Sequence, residues 1–224
     1  MNIKVIGSGS SGNSYLINDG NTALLIECGL PISKIKKGIG FGVSSIKGCL
    51  CSHAHKDHSH SASDIMGLGI NLYCSEETAS ECHLSGHRLY LLKDMKGTKI
   101  NTLEVFPFPV HHDVKTYAFY IYSYLTGEKL LFMTDSAYTE YKFPGLTHIM
   151  MEVSFSEENI EGEPDAHRLR RSHMSVENAI KMLKANDLSK VQEIWLLHLS
   201  KRFGDSEEFK RKVQEVSACP TYIA

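Results

Sequence analysis

A short segment of this chain concentrates side chains of the kinds that bind transition metals. Residues 48–52 are apolar and typical of a buried strand, and residues 53–58 follow with the pattern H-x-H-x-D-H. Side chains two positions apart in an extended chain point to the same side, so His53 and His55 can reach one ion. Asp57 and His58 come where the chain turns and can face a second ion. Imidazole and carboxylate ligands suit Zn²⁺, Mn²⁺ or Fe, so the spacing predicts a metal site at a strand end.

Three further stretches offer ligands that one motif cannot supply alone. His111 and His112 end a strand rich in aromatic residues and prolines, Asp135 ends an apolar strand, and His198 lies inside one. Taken singly, a histidine in an apolar strand is more often a core residue, and an aspartate at a strand end is more often a turn former. The first motif makes metal binding the better interpretation for Asp135 and His198. Adjacent strand residues point to opposite faces, so only one of His111 and His112 should be a ligand.

A basic segment and another histidine precede a predicted helix near residue 175. His173 is either a residue at the helix start or a general acid beside the metals, and we predict the second. Arg168, Arg170 and Arg171 lie just before it. A solvated polar loop is the default interpretation of these arginines, and contact with a substrate phosphate is the alternative.

Composition limits the class of protein. A chain of 224 residues with 42% hydrophobic and 22% charged residues is typical of a globular protein with one large domain, or with two halves sharing one core. A net charge of -2 argues against a nucleic-acid coat, so a nucleic-acid substrate would need a local basic patch. The six cysteines form no C-x-x-C pair, and the N-terminal residues lack the long apolar core of a signal peptide. No apolar run approaches the ~20 residues of a membrane span. We therefore predict a cytoplasmic protein that does not enter a membrane.

The order of predicted elements is strands, helices, strands and helices. Strands are predicted at 3–6, 15–17, 23–26, 48–52, 72–74, 102–110, 116–125, 129–133, 149–153, 194–199 and 221–223. Helices are predicted at 32–39, 61–68, 175–185 and 206–216, with another beginning at Ser75. Residues 156–171 are polar, contain Gly162 and Pro164, and are predicted to form a long loop. Two such halves could pack sheet on sheet with helices outside.

These motifs, in this order, resemble the metallo-β-lactamase superfamily over nearly the whole chain. The stretches that narrow the resemblance are residues 7–14 (GSGSSGNS), 24–30 (LLIECGL), 53–58, 112–113 and 134–136. Together they look like the YycJ/WalJ-type branch and its phage-encoded relatives. Residues 172–175 (SHMS) and 198–202 (HLSKR) are similar to the late motifs of ribonuclease Z.

The resemblance implies a fold and an assignment of ligands. The fold would be α+β, a four-layer αββα sandwich, with residues 1–224 forming a single hydrolase domain. One metal ion would be bound by His53, His55 and His112. The other would be bound by Asp57, His58 and His198. Asp135 would bridge the two ions, and His173 would assist catalysis.

The chain also departs from the family pattern. Glu27 stands where the family usually has Asp, and His60 stands where many members have a small residue; the sequence assigns no role to these two or to His111. The inserted domain of the J-type nucleases and the flexible arm of ribonuclease Z are both missing, so transfer-RNA processing is not expected. The Gly/Ser stretch 7–14 lacks the G-K-[ST] ending of a nucleotide-binding loop. It is either a tight strand connection or a substrate-facing loop.

The predicted reaction is hydrolysis assisted by two divalent metal ions, with zinc the first choice and Mn or Fe the alternatives. Such ions lie ~3.5–4 Å apart and lower the pKa of bound water from about 15.7 toward ~7, which supplies a hydroxide at neutral pH. We predict a phosphodiesterase or nuclease, with Asp57 and His173 as catalytic residues. The alternative is a hydrolase of thiolesters or other small acyl compounds, which would need the same ligands. A secreted β-lactamase would need an export signal, and a pure binding module would have no need of seven converging ligands.

Overall fold

The computed structural model describes residues 1–224, and the chain forms two compact units. One unit comprises Met1–Phe108 with Tyr122–Gly127, and the other comprises Pro109–Ile121 with Glu128–Ala224. The strands are β1 Asn2–Gly7, β2 Ser14–Asn18, β3 Ala23–Ile26, β4 Ile46–Leu50, β5 Leu72–Cys74, β6 Leu89–Leu91, β7 Thr98–Ile100, β8 Leu103–Val110, β9 Thr116–Ser123, β10 Lys129–Met133, β11 His148–Glu152, β12 Glu193–Leu197 and β13 Thr221–Ile223. The α-helices are α1 Ile32–Gly38, α2 Lys56–Ser59, α3 Ala62–Gly67, α4 Glu76–Glu81, α5 Ala166–Ser172, α6 Val176–Ala185 and α7 Ser206–Ser217.

A mixed sheet with the strand order β1-β2-β3-β4-β5-β6 belongs to the first unit. β1, β2 and β3 pair antiparallel, whereas β3 to β6 run parallel. The turn between β2 and β3 is held by Asp19, whose Oδ1 accepts the backbone N–H groups of Asn21 at 3.0 Å and Thr22 at 2.8 Å. Ile26 and Leu50 are register partners, so β3 and β4 end side by side. The residues that follow these two strands therefore emerge at one edge of the sheet.

The second sheet has the strand order β13-β12-β11-β10-β9-β8-β7. In the second unit β10, β11, β12 and β13 run parallel to one another. Met133 pairs with Met151, and Glu152 pairs with Leu197, so three neighbouring strands end within a residue or two of the same level. Polar residues that end or follow parallel strands share one edge, the usual place for a ligand in such a sheet.

Buried cysteines contribute to the apolar core. All six cysteines are free, and Cys82 is the one that is not buried. Cys49 and Cys74 lie in a cluster with Leu25, Ile65 and Leu72. Burial raises the pKa of the Cys74 thiol far above its usual range. These cysteines pack as small apolar residues, which confirms that the chain has no disulfide framework.

The predicted secondary structure is confirmed for most elements and is wrong for several. The short helix α2 was not predicted, and β9 ends at Ser123 rather than at residue 125. Residues 166–172 form α5, although 156–171 was predicted to be a loop. Ala166 and Leu169 are buried with Phe155, Ile160 and Phe203, and that apolar contact stabilises the helix. β4 ends at Leu50 rather than at residue 52.

Two further differences concern the strands. β12 ends at Leu197, so His198 follows the strand instead of lying inside it. The short strands β6 and β7 were not predicted, since three residues carry little periodic signal. The α+β class is confirmed, and no helix is long and apolar enough to cross a membrane.

Candidate metal centre

The first unit holds the four polar side chains of the H-x-H-x-D-H motif. Irregular backbone follows β4, and α2 begins at Lys56, so the motif turns sharply after His55. The His53 and His55 rings lie with their centroids 4.7 Å apart, and those of His53 and His58 lie 4.2 Å apart. Asp57 Oδ2 lies 3.4 Å from His58 Nε2. The turn therefore brings three imidazoles and a carboxylate close together.

His53 is fully buried, and its ring is oriented by the preceding residue. Ser52 Oγ lies 2.8 Å from His53 Nδ1. A histidine whose Nδ1 is hydrogen-bonded in this way presents Nε2 as its metal-ligating atom. The orientation of His53 thus fits a ligand better than a core residue.

Glu27 occupies the edge position next to the motif, directly after β3. Its carboxylate is fully buried, with Oε2 3.5 Å from His58 Nδ1 and 3.4 Å from the backbone nitrogen of Ser52, which donates to it. Its other oxygen, Oε1, is buried with no hydrogen-bond partner. Because a carboxylate beside Nδ1 fixes the ring of a metal-binding histidine, Glu27 is placed to orient His58. The longer side chain still reaches the ring from a position where the family usually has Asp.

The Gly/Ser stretch 7–14 packs against the H-x-H-x-D-H motif and is hydrogen-bonded to it through Asn13. Asn13 Oδ1 accepts hydrogen bonds from Gly9 N at 2.8 Å and Tyr15 Oη at 3.1 Å, which fixes the side-chain amide. Its Nδ2 then lies 3.1 Å from both the Asp57 carbonyl oxygen and His58 Nε2. The backbone nitrogen of Asn13 also donates to the Asp57 carbonyl at 2.7 Å. Asn13 is a residue that the sequence analysis did not single out, and it ties the loop to the candidate ligands.

The close packing of this stretch against the motif requires glycine at two positions. A Cβ on Gly29 would lie 1.7 Å from the Asp57 carbonyl oxygen, and a Cβ on Gly12, where φ is +128°, would lie 2.6 Å from the Gly29 carbonyl oxygen. Backbone atoms cannot yield by that much, so these positions are closed to larger residues. The stretch is therefore a tight connection. Ser10 and Ser11 in addition line a cavity of about 210 Å³ together with Lys56, Asp57 and His60.

The second unit also has polar side chains at the ends of its parallel strands. Asp135 follows β10, Glu152 ends β11 and His198 follows β12. Donor atoms of Asp135, Glu152, His198 and the nearby His173 all lie within 4.8 Å of one another. His198 Nδ1 is 3.3 Å from Asp135 Oδ1 and 3.2 Å from Glu152 Oε1. This unit therefore contains a cluster of carboxylates and imidazoles that could hold a metal ion.

Glu152 is a functional candidate that the sequence analysis missed. It is fully buried, and Oε1 lies 2.7 Å from His173 Nδ1 while Oε2 accepts the backbone N–H of Ser136 at 3.0 Å. Burial alone would raise the pKa of Glu152, but the charge of His173 and hydrogen bonds from His173 and His198 lower it. The sequence signal for a functional role was a single acidic residue at the end of the apolar strand His148–Glu152. A glutamate is uncommon in a buried position unless it is paired.

His173 is half-buried, and its surroundings raise its pKa. Burial opposes the charged ring, but the Glu152 carboxylate and its hydrogen bond outweigh it and raise the pKa of His173, with Asp135 adding to the effect. The rings of His173 and His198 are stacked with centroids 5.5 Å apart. A histidine held by a carboxylate next to candidate ligands has the geometry of a proton donor.

The two neighbouring histidines after β8 differ in environment. His112 Nδ1 lies 2.8 Å from the Ser172 carbonyl oxygen, and its Nε2 lies 3.7 Å from Asp135 Oδ2. Burial lowers the pKa of His112, which favours the neutral ring that a metal ligand needs. His111 is exposed and stacks on Tyr138. These contacts support His112 as the ligand of the pair.

The arginines predicted to contact substrate lie on α5. Arg168, Arg170 and Arg171 line a cavity of about 570 Å³ that also contains His112. Arg170 Nε is 2.7 Å from Glu157 Oε2, so its charge is partly satisfied within the protein. Cationic side chains thus share a cavity with a candidate metal ligand in the same unit.

Three residues at these strand ends have left-handed backbone. φ is 66° at Glu27, 46° at Asp135 and 51° at His198. Residues other than glycine rarely adopt this conformation, and it costs of order 1–3 kcal/mol where it occurs. Five other non-glycine residues of the chain share this conformation, so it fixes the direction of these three side chains but does not by itself mark a functional site.

Comparison with known proteins agrees with these observations. The family model of the metallo-beta-lactamase superfamily matches residues 7–191. The exodeoxyribonuclease WalJ of Streptococcus pneumoniae is 24% identical over 219 residues, which cover 88% of this chain and 81% of that protein. The structure also superposes on the metallo-beta-lactamase fold protein YhfI from Bacillus subtilis with a TM-score of 0.80 at 18% identity, covering 99% of this chain and 95% of that one.

Human tRNase Z, short form, is a further structural neighbour, with a TM-score of 0.67 at 13% identity over 100% of this chain and 96% of that one. At these identities the solved structures show the fold alone. The predicted αββα class and the predicted likeness to the WalJ branch are both confirmed.

Proposed function

The chain belongs to the metallo-β-lactamase superfamily, and from that premise we propose that it hydrolyses phosphodiesters with two divalent metal ions. We propose that the two units act together as one hydrolase domain over residues 1–224. The cysteines are free and mostly buried, which supports a cytoplasmic location.

The proposed ligands follow the motifs of both units. As the resemblance implies, one ion would be held by His53, His55, His112 and Asp135, and the other by Asp57, His58, His198 and Asp135. The donor chemistry fits, because imidazole and carboxylate ligands suit zinc, and Mn or Fe would also accept them. The oriented ring of His53 and that of His112 support the assignment, since each is held through Nδ1 by an oxygen.

When bound, the ions would activate a water molecule and neutralise charge that develops on the phosphate. Asp57 would orient that water and take a proton on its carboxylate. Glu152 would hold His173 through Nδ1, so that the opposite ring atom, Nε2, could give a proton to the departing oxygen. Glu27 would face the His58 ring at Nδ1, and Asn13 would hold the backbone of the motif through its hydrogen bonds to the Asp57 carbonyl.

The hydrogen bond between Glu152 and His173 is the observation on which we favour phosphodiesters over thiolesters as the substrate. A thiolate has a conjugate-acid pKa of ~8.5 and departs without help, so a thiolester hydrolase gains little from a proton donor. The alkoxide released from a phosphodiester is far more basic and must be protonated as it leaves. A buried carboxylate that raises the pKa of a histidine beside the candidate ligands therefore favours phosphodiester cleavage. The likeness to the exodeoxyribonuclease WalJ supports DNA as the polymer, and makes this chain a candidate nuclease.

A substrate screen tests the proposal. The protein would be loaded with zinc, manganese or iron and assayed with bis-p-nitrophenyl phosphate, a thiolester, a cephalosporin and single- and double-stranded DNA and RNA. We expect hydrolysis of the diester and of DNA, and about two equivalents of metal in the active preparation. Preferential turnover of the thiolester would establish the alternative acyl hydrolase. A protein that retains well under one equivalent of metal and hydrolyses nothing would be a binding module.

A further inference from the structure

An exposed pair of aromatic rings lies beside the cavity that contains the arginines. The His111 and Tyr138 rings are stacked, with centroids 4.6 Å apart and an angle of 16° between their planes. Tyr138 keeps 43% of its surface exposed. A backbone hydrogen bond of 3.1 Å from Ala137 N to the His111 carbonyl holds the two segments together. The two rings therefore form a fixed surface, and the exposed part of Tyr138 is free to stack with a third ring.

This ring pair lines two cavities in the second unit. One has a volume of about 570 Å³ and contains His112 and the arginines of α5, and the other has a volume of about 300 Å³ and contains Tyr141. Both His111 and Tyr138 line each of them. A flexible ligand that passes the ring pair would thus find space on either side of it.

The larger cavity is basic. Arg168 and Arg171 are three residues apart on α5, so their side chains lie on neighbouring positions of the helix surface, and neither makes an ion pair with a carboxylate. Asp113 is the one acidic residue that lines the cavity, and its Oδ1 lies 3.0 Å from His112 Nε2. The net charge of the chain is -2, so this local excess of positive charge is not a property of the whole surface.

Resting on the proposed phosphodiesterase function, we propose that His111 and Tyr138 form a stacking platform for one base of an unpaired nucleic-acid strand. Arg168 and Arg171 bind the adjacent phosphate and direct the nucleic-acid strand toward His112. A flat ring surface next to cations matches the alternation of base and phosphate along a single strand. Bases inside a duplex are covered on both faces by their neighbours, and only the terminal pairs expose a face, so the platform favours unpaired strands.

Binding measurements test the platform without requiring cleavage. Fluorescence anisotropy would follow the metal-loaded protein with a labelled, hydrolysis-resistant phosphorothioate strand, its blunt duplex, and an abasic strand that keeps the phosphates and lacks the bases. DNA and RNA strands would be compared. Tyr138→Ala should raise the Kd for the base-bearing strand about 5- to 150-fold, the range typical of one aromatic–base stack. The Kd for the abasic strand should not change, and Tyr138→Phe should bind as the wild type does.

Tyr222 supplies a matched control. It too is 43% exposed and stacks on another aromatic ring, that of Trp195, but it lies outside both cavities. Tyr222→Ala should leave the Kd for every strand unchanged. Equal losses with Tyr138→Ala and Tyr222→Ala, or equal losses on base-bearing and abasic strands, would overturn the platform.

Hydrolysis of bis-p-nitrophenyl phosphate separates this inference from the proposed function. Tyr138-dependent strand binding by a protein that hydrolyses no diester would refute the function and leave the platform standing. Hydrolysis of strands with no difference between wild type and Tyr138→Ala in Kd or KM would refute the platform and leave the function standing.

Discussion

Glu152 Oε1 lies 2.7 Å from His173 Nδ1, and this hydrogen bond joins a fully buried carboxylate to a half-buried imidazole. The same oxygen lies 3.2 Å from His198 Nδ1. One carboxylate is thus positioned to fix both a candidate proton donor and a candidate metal ligand. In the first unit Glu27 has a corresponding place, since it also accepts a backbone N–H from the neighbouring strand segment and lies beside a histidine Nδ1.

Removing Asp135 should weaken both metal sites, because a bridging carboxylate serves each ion. We expect Asp135→Ala to retain substantially less than the two equivalents of metal proposed for the wild type, as measured by elemental analysis after dialysis against a weak chelator. Asp187→Ala alters an exposed acid whose contacts are with Ser189 and Lys190, and it should retain both equivalents. Two tightly held ions in Asp135→Ala would show that the bridging assignment is wrong.

The sequence predicted most strand ends correctly and pointed to the candidate ligands, because both depend on local spacing. His53 and His55 alternate, and the following two ligands come at a turn, whatever the rest of the chain does. The left-handed backbone at Asp135 and His198 could not be predicted, since neither residue is glycine and the conformation depends on how the parallel strands end.

Features that depend on distant contacts were also missed. α5 was predicted to be a loop because residues 156–171 are polar, and its helical state depends on Leu169 packing with Phe203, which is remote in sequence. Glu152 belongs to no recognisable sequence motif. It becomes a functional candidate only because the fold brings His173 and His198, from later in the chain, into contact with it.

Replacing each of the two histidines after β8 by alanine should give very different losses of activity. His112→Ala should lower the rate of bis-p-nitrophenyl phosphate hydrolysis by orders of magnitude, because its ring is buried against Ser172 and faces Asp135. His111→Ala should lose much less on this small substrate, since its ring is exposed and contacts Tyr138. Steady-state rates and circular dichroism would be measured for both variants. Equal losses in two folded proteins would contradict the choice of His112.

Asp19 should make the first unit sensitive to acid. Burial would raise the pKa of Asp19, but hydrogen bonds from Ser123, Thr102 and the backbone of Thr22 and Asn21 outweigh it and lower the pKa below its ordinary value. A lowered pKa means that the carboxylate stabilises the fold above the unfolded-state value, and that this contribution is lost as pH falls through the folded-state pKa.

The corresponding variant is Asp19→Asn. At pH 7 it should lower the free energy of unfolding by about 1.5–3 kcal/mol, the range for hydrogen bonds to a charged group. Urea unfolding of both proteins between pH 7 and about pH 3 should show the difference shrinking as the acid range is entered. A difference that is independent of pH would mean that shape, and not charge, makes Asp19 important.

His173 should be a proton donor and not a metal ligand. We expect His173→Ala to keep its fold and both ions, and to lose ~10²–10⁴-fold in turnover on DNA or another natural phosphodiester, whose leaving oxygen must be protonated. Nitrophenolate departs without much protonation, so hydrolysis of bis-p-nitrophenyl phosphate should fall far less. Damage to the metal centre would depress both substrates alike, which makes the ratio of the two losses the decisive measurement. Equal losses, or the loss of one ion by elemental analysis, would instead place His173 with Asp135, Glu152 and His198 as a ligand of the second unit's cluster.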